Sequence, residues 1–158
     1  MINYLIIEAS SGIGAEIAVQ LSKQGHKVFA SYHENEKENN EHLEYFQLDV
    51  MQDEMFNAGF LPEQLHGFVY CPGSINLKPF HRFKKDDFLN DFKLQVTGAI
   101  EILQSVLPKM KAAGNASVVL FSTVAVQSGF SYHAQVSASK GALEGLTRAL
   151  AAEWAPNI

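Results

Sequence analysis

Residues 3–14, NYLIIEASSGIG, hold an apolar run, a turn of small residues and the opening of a helix. NYLII has no polar alternation, which is the pattern of a strand covered on both faces. EASSGIG reads as a turn, and beyond it Ile13, Ile17 and Leu21 recur at helical spacing until Gly25, a residue suited to end a helix. A buried strand that passes through a glycine turn into an amphipathic helix is the first unit of a parallel sheet with crossover helices.

Working outward, the same alternation repeats. KVFASY (27–32) is the next strand, and HENEKENNEH (33–42) is a polar loop whose charges are a solvated surface. EYFQLDV (44–50) is a third strand, followed by a short helix around Met51 to Phe60. GFVYC (67–71) is a fourth, closed by Pro72 and Gly73, and a long helix runs from Asp86 to about Ala113. SVVLF (117–121) is the fifth, and HAQVSASKGALEGLTRALAAE (133–153) is the helix after it. No repeat or linker interrupts the series, so the expectation is an α/β fold, a doubly wound parallel sheet with five strands, in one domain over residues 1–158.

Composition narrows the partners. The formal net charge is −5, and apart from RFKK (82–85) the basic residues are scattered, which argues against nucleic acid. The opening MINYLII is short, lacks a basic lead and runs into Glu8, so neither a signal peptide nor a membrane span is expected. The histidines never fall at metal-ligand spacing with a second ligand, so no metal is assigned. Cys71 is the single cysteine, which excludes an internal disulfide and suits a reducing cytoplasm.

The two long helices carry more apolar surface than one sheet face covers. Phe88, Phe92, Val96, Ala99, Leu103, Val106 and Met110 form one stripe, and Leu89, Leu94, Ile100, Ile102 and Leu107 widen it. In the last helix Ala138, Gly141, Ala142, Gly145 and Ala149 make a surface of small residues. Together they suggest a partner chain, most simply a second copy. SVVLF is expected to present an unpaired sheet edge.

A strand, then SSGIG, then a helix is the phosphate-cradling turn of a dinucleotide fold: glycines permit close backbone approach, and the helix N-terminus offers unpaired N–H groups. LDV ends the third strand, PG the fourth and FSTVA (121–125) the fifth, before SASKGALEGLTRALAAE (137–153). In this order and spacing the chain resembles the short-chain dehydrogenase/reductase family. The resemblance implies a Rossmann fold, bound NAD or NADP, and hydride transfer between nicotinamide and a small carbonyl or alcohol substrate. It also implies that Ser10, Ser11, Gly12, Ile13 and Gly14 hold the cofactor phosphates, that Asp49 touches the adenine, and that Gly73 lines the cofactor groove. Thr123 takes the position of the catalytic serine, and Lys140 that of the lysine on the nicotinamide ribose. The residues themselves also allow blander roles: Asp49 as the cap of a following helix, Thr123 as a strand-end residue, Lys140 as a solvated charge. No acid follows VFASY to grip a ribose 2′-hydroxyl, which tilts the cofactor toward NADP, although no arginine stands nearby to receive its phosphate.

The departures from the family pattern are equally specific. Its tyrosine position is Val136, so the usual general acid is absent, with Tyr132 and His133 the nearest titratable groups in the sequence. The first glycine of the phosphate turn is Glu8, and the helix asparagine that helps relay protons is Gln95. Complete members continue through a sixth strand, a lid and a seventh strand, so residues 1–158 are expected to be a dinucleotide-binding domain lacking those C-terminal strands. Two functions stand side by side: an oxidoreductase of that family, with residues 1–158 themselves expected to show no turnover, and a binding or scaffold module on the same fold.

Overall fold

The computed structural model describes residues 1–52 and 54–158. Five strands, β1 (Asn3–Ile7), β2 (Lys27–Tyr32), β3 (Leu43–Gln47), β4 (Gly67–Tyr70) and β5 (Ser117–Leu120), form one parallel sheet in the order β3-β2-β1-β4-β5. The helices are α1 (Gly12–Lys23), α2 (Lys85–Phe92), α3 (Gly98–Ala113), α4 (Ala125–Ser128) and α5 (Ala134–Trp154).

β1 shows why the sheet is wound on both sides. Its Leu5 and Ile7 join Phe29, Phe68, Val106 and Met110 in the core beneath α3 and α5. Ile6, between them, joins Ala18, Val28, Ala30 and Val69 in the core beneath α1. Successive side chains of a strand point to opposite faces, so an unbroken apolar run has to feed two cores. Each of these three residues is at most 1% exposed, and each such burial is worth about 1.5–3 kcal/mol. The register sets Leu5 beside Phe29 and Phe68.

Two expectations are corrected. In place of a helix around Met51 to Phe60, the chain makes a turn at Asp49 and a single 3₁₀ turn at Ala58–Phe60; Asp53 lies outside the described residues. The cause is local: Asp49 Oδ1 accepts the Met51 N–H (2.9 Å) and Asn57 Oδ1 accepts the Gly59 N–H (2.9 Å). Such side-chain bonds compete with helix formation. They also end the third strand at Gln47, before LDV. Asp49 therefore caps no helix.

The helix expected from Asp86 to Ala113 is interrupted by a π-turn at Lys93–Thr97. The wider turn rotates the face that meets the core. Phe92, placed in the apolar stripe, stands 39% exposed, while Asp91 and Gln95 are buried. Beyond the turn the stripe holds, with Val96, Ala99, Ile102, Leu103, Val106 and Met110 all buried. The buried Tyr70 hydroxyl donates to the Leu94 carbonyl inside the π-turn (2.6 Å), and burial pushes its ionisation well above the usual tyrosine range. Tyr70→Phe is expected to destabilise the fold by about 1–2 kcal/mol, read from urea denaturation, because the half-buried Leu94 carbonyl loses the hydroxyl that donates to it.

β5 pairs with β4 alone among the described strands, so the expected open edge is present. Among the described residues no helix is long and apolar enough to cross a membrane, and no group of three or more ligating side chains could hold a metal ion.

Candidate dinucleotide site

The C-terminal ends of parallel strands carry the ligand sites of such sheets, and β1 and β4 lie side by side where the strand order reverses. After β1 the chain turns sharply. Glu8 takes φ 60°, the left-handed region that favours glycine, and its N–H donates to Ser31 Oγ (2.8 Å). Ser10 is half-buried, Ser11 is the N-cap without a side-chain cap bond, and Gly12 takes φ 56°. Ile13 is 62% exposed. The Ala15 N–H donates back to the Ser11 carbonyl (3.1 Å), so the N–H groups before it open the helix with no intrahelical acceptor. A side chain on Gly12 would meet nothing within 4 Å, which leaves that backbone open to a ligand. Gly14 is the reverse case: a Cβ there would lie 2.4 Å from the Glu8 carbonyl oxygen and 3.1 Å from Cys71 Sγ. It lets α1 close onto β1.

Glu8, His33 and Asp49 gather beside this turn and line a cavity of about 140 Å³ with Ser31, Pro72 and Leu94. Burial raises the Glu8 carboxyl above its ordinary value, partly opposed by His33. The Met51 N–H holds the Asp49 carboxyl below its ordinary value, and His33 Nε2 stands 3.7 Å from Asp49 Oδ2.

A second group of residues meets at Gly73, after β4. From its Cβ position, Lys140 Nζ and Gln95 Oε1 each lie 3.6 Å away. Burial lowers the Lys140 amine below its ordinary value, opposed by Asp91 and by Cys71. The Cys71 thiol is itself pushed up to about 11, chiefly by burial. Gln95 Oε1 is buried and accepts no hydrogen bond from the described residues.

The remaining residues are dispersed. Thr123 Oγ1 accepts the Ala125 N–H (3.3 Å) at the start of α4, and Ser122 Oγ donates to Glu144 Oε1 (2.6 Å). Val136 is 5% exposed. His133 Nδ1 lies 2.8 Å from the Ser131 carbonyl, and Tyr132 is exposed at φ 69°. What the sequence did not disclose is Asp91, 4% exposed, with Ser139 and Ser74 hydrogen-bonded to it. The spacing of Asp87, Asp91 and Gln95, one turn apart each, was the available signal; on an exposed helix it marks only a solvated face.

The family model of the short chain dehydrogenases matches residues 3–158. The chain is similar to human 17-beta-hydroxysteroid dehydrogenase type 1, at 29% identity, over 93% of this chain and 50% of that protein. It is similar to a hydroxynaphthalene reductase of Aspergillus fumigatus, at 27% identity, over 95% of this chain and 60% of that one. Among solved structures, a short-chain dehydrogenase from Streptomyces avermitilis superposes with a TM-score of 0.90 at 27% identity, over 99% of this chain and 62% of that one. The chain therefore spans 50–62% of the length of these relatives. With the strand order, the glycine turn after β1 and the lysine beside Gly73 in place, the match over residues 3–158 settles the family: this chain belongs to the short-chain dehydrogenases/reductases.

Proposed function

We propose that residues 1–158 are the dinucleotide-binding domain of an NAD(P)(H)-dependent oxidoreductase acting on a small carbonyl or alcohol. The observation that carries this reading is the convergence of a cation and an unpartnered acceptor, Lys140 Nζ and Gln95 Oε1, on the exposed Gly73. A buried amide oxygen left unbonded costs about 1–3 kcal/mol, and a ligand hydroxyl that donates to Gln95 while accepting from Lys140 removes that cost. The residues fit a dinucleotide at the other end too, through the open N-terminus of α1 and the free space before Gly12, with Glu8 the one misfit.

On this reading Ser10, Ser11, Gly12, Ile13 and Gly14 cradle the pyrophosphate, Asp49 meets the adenine, Gly73 lines the groove and Lys140 holds the nicotinamide ribose. Thr123 orients the substrate oxygen. The bound nicotinamide supplies the hydride chemistry. NADP is favoured over NAD, since Tyr32 and His33 place no acid at the end of β2. A second copy packs on the exposed Leu89 and Phe92 and on Ala138, Gly145 and Ala149 of α5, and a reducing cytoplasm is the compartment. Sedimentation at micromolar concentration is expected to show a dimer or larger; a clean monomer refutes this element.

Proton supply is what these residues lack. Valine cannot protonate an alkoxide, and general acid catalysis contributes about 10²- to 10⁴-fold. NADPH consumption with a panel of small ketones and aldehydes is expected to run slower than in a phenol-bearing relative by about that factor. A rate equal to the relative's would show that another group serves the proton, and its loss in His133→Ala would name that group. The burial of Val136 favours a second reading, a binding module without turnover. Cofactor binding with no consumption selects it.

A further inference from the structure

Asp91 is an acid buried between α2 and α5, and among the described residues its side chain bonds to Ser139, next to Lys140, to Gln95 and to Ser74, next to Gly73. Its Oδ2 accepts the Ser139 hydroxyl (2.6 Å). Its Oδ1 accepts the Gln95 amide (2.7 Å) and the Ser74 hydroxyl (3.1 Å). The Gln95 amide donates to the Ser74 carbonyl as well (3.3 Å). Both partners of that amide are therefore acceptors, a carboxylate and a carbonyl, so its NH₂ end has to face them. Its carbonyl oxygen, itself buried, is then turned toward Gly73, lying 3.6 Å from that residue's Cβ position as Lys140 Nζ does. Ser139 precedes Lys140 directly, so the same carboxylate ties the lysine's helix to α2.

We infer that Asp91 is a positioning residue, whose carboxylate fixes the Gln95 amide with its acceptor turned toward the Gly73–Lys140 space and holds that acceptor in register with Lys140. This rests on the reading that the space receives a ligand hydroxyl. Such a hydroxyl needs one acceptor and one donor; Asp91 guarantees the acceptor, and Lys140 is the donor. Nothing in the sequence pattern assigns Asp91 a role in this site. The charges facing Lys140 are Asp91 from α2 and, if ionised, Cys71 after β4.

Asp91→Asn is the isosteric test. The asparagine can keep one oxygen on Ser139, and its NH₂ then faces Gln95. Gln95 is expected to flip, presenting its own carbonyl inward and its NH₂ to Lys140. Side-chain NMR of the free chain should show the Gln95 amide protons losing their protection from exchange and the Lys140 amine titrating lower than in the unmodified chain, since the Asp91 charge that raises it is gone. The NADPH dissociation constant should rise about tenfold, the loss of one oriented hydrogen bond. An unchanged Gln95 amide and an unchanged Lys140 titration would overturn the inference, whether or not NADPH binds. Failure of the unmodified chain and of Glu8→Gly to bind NADPH would sink the dinucleotide reading instead, and leave the two NMR readouts to decide on Asp91. Should Asp91→Asn not fold, Gln95→Met keeps the Asp91–Ser139 bond. It is expected to weaken NADPH to the same degree with the Lys140 titration unmoved, and unchanged NADPH affinity there overturns the inference.

Discussion

Gly14→Ala is expected to destabilise the chain by about 3 kcal/mol, lowering the thermal midpoint by roughly 6–12 °C in calorimetry. In an ordinary helix the same substitution is favourable by about 0.5–1 kcal/mol, so the sign is reversed by the surroundings. The new methyl would meet the Glu8 carbonyl oxygen at 2.4 Å and the Ala9 Cα at 3.1 Å, and both belong to the backbone of the turn. No rotamer change relieves such a contact; α1 has to lift from the sheet, opening the core around Ala18 and Ile6. Gly141→Ala is the control. It sits in α5, where the added carbon would meet only Val126 Cγ1 at 3.7 Å, an ordinary contact, and it should stabilise by about 0.5–1 kcal/mol. Equal midpoints for the two variants would show that the approach of α1 to β1 is looser than this geometry.

The features that were legible in the sequence are those with a periodic or positional signature. NYLII announced a strand buried on both faces, and β1 occupies Asn3–Ile7. The glycine turn, the helix to Gly25 and the five-strand alternation followed from the same signals. What escaped notice depends on competition between local bonds and on packing between distant segments. The Asp49 and Asn57 side chains dissolve the helix expected around Met51 to Phe60, a contest that apolar spacing does not register. The π-turn shifts the buried face by a fraction of a turn, which exchanges Phe92 for Asp91 without altering the composition of the segment. At the site, Gly73 and Lys140 were each picked out by the resemblance and the fold sets Lys140 Nζ 3.6 Å from the Gly73 Cβ position, whereas Asp91 needed the crossing of α2 and α5 to acquire meaning.

Glu8→Gly carries the largest expected effect on binding. Set at about 5 Å from one phosphate charge, with an effective dielectric near 20, the carboxylate repels it by about 3 kcal/mol, or roughly a hundredfold in affinity. Calorimetric titration of NADPH is expected to show weak binding to the unmodified chain and binding tighter by about that factor in Glu8→Gly. Equal affinities would acquit the charge. The effect also has a pH signature. Burial raises the Glu8 carboxyl above its ordinary value in the fold, and the gap between the two proteins should close as pH falls through the folded value. The linkage to stability has the same sign: a pKa raised by folding favours the folded state at low pH, and that contribution is lost as pH rises through the folded value. The substitution also relieves a left-handed backbone at φ 60°, which costs a non-glycine residue roughly 1–2 kcal/mol. Set against glycine's greater freedom in the unfolded chain, a net gain of about 1 kcal/mol is expected from urea denaturation.

The strand order has a consequence for how the molecule is made. Of these five strands the earliest in the chain is the centre of the sheet. β1 can zip to β2 as soon as Lys27–Tyr32 emerge, and β3 can add to β2, so one half of the sheet assembles early. The other flank of β1 must wait for Gly67–Tyr70, and β4 in turn for Ser117–Leu120. Throughout that interval Leu5, Ile6 and Ile7 present a bare parallel edge, and at a synthesis rate of about 5–20 residues per second the wait lasts several seconds. Ribosome-bound chains stalled before Gly67 are therefore expected to be captured by a holdase more readily than chains stalled after Leu120.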